Sequence, residues 1–125
     1  MALGPKAMRI LIVSFALLLT VGCMRVPALD EAEAVAVTRA ARELLKSSRM
    51  QEVIPSKSWP AAIQNLNPES VRAHPEGLYI QTGSMYVEEV GLFVPREPAA
   101  FVPARGSDPE YKQMHDSLLS YYIAG

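Results

Sequence analysis

Two histidines, one cysteine and the neighbouring glutamates Glu88 and Glu89 are the residues of this 125-residue chain whose types bear most directly on chemistry. No second cysteine exists to complete a zinc site with His74 and His115, and the spacings His-x-x-x-His, Cys-x-x-Cys and His-Glu-x-x-His do not occur. His115 falls in an apolar stripe, the setting of a buried or half-buried core histidine. His74, next to Pro75, reads as a turn residue. Glu88 and Glu89 invite a general acid and base, but in a regular strand neighbouring side chains point to opposite faces and cannot converge on one substrate. A solvated edge accounts for them. The Gly-x-Ser-x-Gly elbow, the phosphate-cradling Gly-x-x-x-x-Gly-Lys loop and the dinucleotide Gly-x-Gly-x-x-Gly are all missing from the sequence. Catalysis, metal and cofactor are therefore not expected.

The single thiol needs its own explanation, because one cysteine cannot form an intramolecular disulfide. Cys23 follows a positive start, Lys6 and Arg9, and an apolar stretch of 12 residues from Ile10 to Val21. A membrane-spanning helix takes about 20 apolar residues, so this stretch fits the core of a secretion signal instead. Leu19-Thr20-Val21-Gly22-Cys23 resembles the lipobox of bacterial lipoproteins, with Thr20 where a leucine is commonest. The resemblance covers residues 1–23 and implies diacylglyceryl on the Cys23 sulfur, cleavage just before it by signal peptidase II, and acylation, palmitate among the chains, of the new amino terminus. Met24 is not the aspartate that retains lipoproteins at the inner membrane. The implied location is the cell membrane or the outer membrane, facing the periplasm. Translation can start at Met1 or Met8.

Removing 22 of the 125 residues leaves 103, enough for one core without disulfide or metal. Lys6 and Arg9 are the only charges before Cys23, so 10 of the 12 basic residues and all 13 acidic ones lie beyond, a formal balance of −3. Mild acidity with scattered Lys and Arg argues against a nucleic-acid partner.

Residues 23–29 read as a lipidated end and short tether, and residues 30–125 as a single α+β domain. Asp30-Glu31-Ala32-Glu33 has the form of a capping box, and Ala34, Val37, Ala41, Leu44 and Leu45 share one face, predicting a helix over 30–50 that stops before Pro55. Trp59, Ile63 and Leu66 mark a short second helix, with Trp59 as a core anchor. Val71–His74, Leu78–Thr82 and Met85–Val94 are β-rich runs separated by Pro75-Glu76-Gly77 and Gly83-Ser84, the pattern of a three-stranded antiparallel meander. Gly91 inside the third run marks a bulge or a close backbone approach. The prolines at 95, 98, 103 and 109 make a connector; Pro95-Arg96-Glu97-Pro98 is a candidate polyproline docking segment but reads more simply as irregular chain. Tyr111, Met114, His115, Leu118 and Tyr122 fall at helical spacing and predict a last amphipathic helix over 109–123, capped by Ser107 or Asp108.

The resulting expectation is a small antiparallel three-stranded meander packed against N-terminal and C-terminal amphipathic helices, anchored by lipid on Cys23. Its expected role is a non-catalytic binding or structural module of the cell envelope with a protein partner. The alternative is a small-ligand binder or hydrolase acting on envelope material through His74, Glu88 or Tyr86 near the sheet. A concave pocket joining polar side chains on the sheet would favour the alternative, and an exposed apolar patch the partner surface.

Overall fold

The computed structural model of this chain describes residues 24–103 and 106–125; the expected signal segment and Cys23 lie outside the described residues. Helix α1 spans Glu31–Ser47 and starts at the expected capping box: the Asp30 carboxylate accepts from the Glu33 N–H at 2.8 Å and Glu33 accepts in return from the Asp30 N–H at 3.3 Å. Its buried face is Ala34, Val37, Ala40, Ala41, Leu44 and Leu45. Three alanines on that face let the helix axis approach the sheet closely.

The sheet is larger than the expected meander. Six strands, β1 (Glu52–Val53), β2 (Ser70–Ala73), β3 (Gly77–Met85), β4 (Glu88–Pro95), β5 (Glu110–His115) and β6 (Leu118–Ile123), form one antiparallel sheet in the order β1-β2-β3-β4-β6-β5. A short helix α2 (Ala61–Gln64) seats Ile63 against the core, and half-buried Trp59 beside it donates its indole N–H to the Ile54 carbonyl at 2.9 Å.

The C-terminal helix predicted over 109–123 does not exist, and the expected architecture of a three-stranded meander between two helices is corrected accordingly. A hairpin, β5–β6, turning at Asp116-Ser117, takes its place. β6 pairs with β4 from Phe93↔Leu119 to Glu89↔Ile123, so it completes the sheet rather than covering it. Leu118 packs towards α1 while Leu119 and Tyr121 join the opposite core cluster; with both faces buried, the strand carries no alternation that would reveal its period.

The turn expected at Gly83-Ser84 is displaced as well. Both residues lie inside β3, where the register shifts between Gln81 and Gly83, and the chain reverses at Tyr86-Val87 with Met85 opposite Glu88. Glycine serves the bulge, and the reversal falls to two large side chains.

Under α1, the core is formed by Val71, Ala73, Leu78, Ile80, Leu92, Val94 and Leu118 with the buried helix face. In residues 24–29, expected as a short tether outside the core, Val26 and Leu29 pack on this core, and Thr82 donates its hydroxyl to the Arg25 carbonyl at 3.0 Å. The connector after β4 is irregular chain. Arg96 donates to the carbonyls of Leu45 at 3.2 Å and His74 at 2.9 Å, placing a cation at the C-terminal end of α1 and tying it to the β2–β3 turn.

Candidate functional site

The sheet face turned away from α1 carries a connected network of polar side chains. Because β-strand side chains alternate, the same strands that bury aliphatic residues under the helix present Arg72, Tyr79, Glu89, Phe93 and Tyr121 on the other side. Tyr79, Phe93, Leu119 and Tyr121 form a second core cluster, with Phe101 and Tyr111 packed at its edge. Ring centroids stand 4.6 Å apart for Tyr79 and Phe93, 5.0 Å for Tyr79 and Tyr121, and 5.1 Å for Phe93 and Tyr111.

Two hydrogen-bond groups are built on these rings. In the first, the Glu89 Oε2 atom pairs with the Arg72 guanidinium and accepts the Tyr121 hydroxyl at 2.6 Å. Arg72 Nη1 donates to Ser70 Oγ at 2.9 Å and Gln81 Oε1 at 3.0 Å, while the Gln81 amide donates to Glu69 at 3.0 Å and Ser84 donates to the same carboxylate at 2.8 Å. In the second, the Tyr79 and Tyr111 hydroxyls lie 2.6 Å apart and Tyr79 also donates to Glu76 at 3.0 Å. The Arg72 guanidinium carbon, 6.0 Å from the centre of the Tyr79 ring, joins the two.

Gly91 makes this arrangement possible. It pairs with Tyr121 across β4 and β6, and a side chain at 91 would collide with the Tyr121 ring and with the Ile80 carbonyl. The close approach expected at this glycine is what is observed; the bulges lie elsewhere, at Gln81/Gly83 and Gln113/His115.

Burial first, and then the hydrogen bonds to Tyr111 and Glu89 respectively, raise the Tyr79 and Tyr121 hydroxyls far above their ordinary range. Tyr111 is raised by burial, against the opposing effect of its bond to Tyr79. For Arg72, burial pushes downward, but the Glu89 bond and charge outweigh it and the net shift is upward. The three phenols thus remain protonated donors near neutral pH and the guanidinium remains charged. A protonated, hydrogen-bonded phenol is neither a base nor a nucleophile.

The sequence-derived candidates are not brought together. His74 sits in the β2–β3 turn, edge-on to the Tyr79 ring at 5.2 Å, whereas Tyr86 and Glu88 lie at the far end of β3. The nine residues of β3 separate them by about 30 Å at the usual rise per residue. Glu88 and Glu89 diverge as strand geometry requires, but Glu89 is not on a solvated edge: its side chain is 18 % exposed and ion-paired in a central strand. His115 ends β5 rather than lying on a helix, half-buried, 4.0 Å from Glu31. It lines a groove of about 420 Å³ between α1 and the β5–β6 turn, together with Arg39, Arg42, Lys46 and Ser117. Among the described residues, no three His, Cys, Asp or Glu side chains gather as a metal site, and no helix is long and apolar enough to cross a membrane.

Sequence reasoning missed Arg72, Glu76, Tyr79, Gln81 and Tyr121; of this face it singled out Glu89, read as part of a solvated edge, and Gly91. No family model matches the chain, and no curated protein or solved structure was found to be similar to it.

Proposed function

We propose that this chain is a lipid-anchored lipoprotein of the bacterial cell envelope that works by holding a protein partner and performs no catalysis. The anchor rests on Lys6 and Arg9, the short apolar run and the lipobox-like residues ending in Cys23. The lipid holds the protein at the cell membrane or the outer membrane, facing the periplasm.

The observation that carries the binding role is the mutual saturation of the polar face. Arg72, Glu89, Tyr121, Gln81, Ser70 and Glu69 spend hydrogen bonds on one another, so the cluster stiffens the sheet instead of presenting an acid and a base to a substrate. Beside it, β5 forms one edge of the sheet, with Glu110, Lys112, Gln113 and Met114 exposed along it. Such an edge accepts an added strand, and its charges select which one.

Labelling cells with an alkyne fatty acid tests the anchor: the parent takes up label and Cys23→Ala does not. A photo-crosslinking residue at Lys112 tests the partner, and a discrete adduct with one envelope protein is expected. Turnover of envelope material by the purified protein, lost in a folded Arg72→Met variant, would overturn the non-catalytic reading.

A further inference from the structure

The β3–β4 reversal is built from the wrong residues for a turn that only has to turn. A two-residue hairpin loop takes positive φ at its first central position, which glycine, asparagine or aspartate fill easily. Here that position is Tyr86, at φ 56°, followed by Val87. A tyrosine held there is strained, and such strain points to a use for the side chain. Tyr86 is 100 % exposed, Val87 73 % and the adjoining Met85 47 %. Three apolar or amphipathic side chains thus stand in solvent at the tip of a nine-residue strand, and none contributes to either core cluster.

The position of this tip relative to the start of the described chain suggests what covers it. The Arg25 carbonyl is fixed to Thr82, and Val26 lies in a groove with Val90 and Tyr122, so the chain enters at the end of the sheet where β3 turns into β4. Thr82 is four residues from Tyr86, about 13 Å along a strand. Cys23 is two residues before Arg25, about 7 Å of chain at most.

We propose that Met85-Tyr86-Val87 is a second membrane contact, seated in the headgroup region beside the acyl chains carried by Cys23. The proposal rests on the reading of Cys23 as the lipid-bearing residue. Tyrosine favours this interface, with its ring towards the acyl chains and its hydroxyl in the wet headgroup layer. Lipid and tip together fix the end of the sheet at the membrane, which one acyl anchor alone leaves free to swivel. The opposite end, with the β5–β6 turn and the groove at His115, then faces away from the bilayer. Glu69, Glu88, Asp108 and Glu110 lie on the strands and segments near the tip and outnumber Arg25. The preferred surface is therefore zwitterionic, and contact depends on apolar insertion rather than on anionic lipid.

The test uses the acylated protein in phosphatidylethanolamine–phosphatidylcholine vesicles, with an environment-sensitive fluorophore on Val87→Cys or, at the opposite end, on Asp116→Cys. The sulfur of Cys23 is blocked by its lipid, so each variant offers one thiol. Spin-labelled lipids should quench the label at 87 several-fold more than the label at 116, and raising salt should leave the difference unchanged. Adding Tyr86→Gly, which relieves the positive φ, should raise the melting temperature while weakening quenching at 87. Equal quenching at both positions in a protein whose acylation is verified by mass spectrometry would overturn the tip contact and leave the anchor standing. An unmodified Cys23 would overturn both. Shielding of the label at 87 only when envelope proteins are added would assign the tip to a protein instead, and would also overturn the proposal.

Discussion

Arg72→Met removes the cation that neutralises Glu89 while leaving the carboxylate 18 % exposed between β3 and β6. An exposed ion pair contributes about 0–1 kcal/mol, whereas breaking a fully buried one costs about 3–5 kcal/mol. The side chains of Arg72 and Glu89 are 24 % and 18 % exposed, so some water reaches both and the expected loss lies between these limits, about 2–3 kcal/mol. Ser70 and Gln81 lose a charged donor in the same substitution, which keeps the figure from falling to the surface value. For a domain of about 100 residues, a loss of that size lowers the melting temperature by roughly 8–24 °C. Pairing the substitution with Glu89→Leu removes the stranded charge, and the double variant should be more stable than the sum of the single losses implies, with a coupling of about 1.5–3 kcal/mol in urea unfolding. A single loss below about 0.5 kcal/mol, together with no coupling, would refute the claim that this pair organises the face.

Leu118→Ala should cost about 2–5 kcal/mol in urea unfolding, because the side chain is fully buried between β6 and α1; a loss within the range of surface substitutions would place the residue outside the core. Gly91→Ala should destabilise by about 1–3 kcal/mol or more, since the new methyl meets the Ile80 backbone, which cannot swing aside; a neutral result in the same assay would remove Gly91 as the reason Tyr121 sits where it does. Stability should hold up to pH 10 and then decline: the unfolded chain releases its tyrosine protons near pH 10 while the folded chain keeps those of Tyr79 and Tyr121, so above that pH the folded state binds more protons. Each tyrosine contributes about 1.4 kcal/mol per pH unit to that decline, and the double variant Tyr79→Phe, Tyr121→Phe should show a shallower slope in melts between pH 9 and 11.

The helix over Glu31–Ser47 was legible because its signals agree: a capping box at one end, one apolar stripe and a half-polar surface. The last hairpin was not, for the opposite reason. In β6, Leu118, Leu119 and Tyr121 are all buried because helix and core lie above one face and the aromatic cluster lies on the other. Two-sided burial removes the alternation that identifies a strand, and what remains of Tyr111, Met114, His115, Leu118 and Tyr122 happens to fit a helical period. β1, only two residues long, is set by its partner β2 rather than by its own pattern. At the first hairpin, Gly83 carried a turn signal but served a bulge, because one glycine satisfies either need.

The polar face was less legible still, since its members share no motif. Arg72 lies on β2, Tyr79 on β3, Glu89 on β4 and Tyr121 on β6, and β5 and β6 exchange places relative to chain order. No spacing can encode an ion pair that reaches across an intervening strand, because its partners become neighbours only once that order is set. What a sequence can encode is the requirement that nothing stand in the way. Gly91 states that requirement: among Leu92, Phe93 and Val94, each filling space, it alone leaves space, and the Tyr121 ring occupies it. The ring's position then sets the hydroxyl against Glu89, and Glu89 in turn holds Arg72 over Tyr79. A glycine in a central strand is costly where it packs against nothing. Here its missing side chain is the vacancy around which the cluster is assembled, so the site shows in the sequence as a single gap in an apolar run and not as a set of reactive residues.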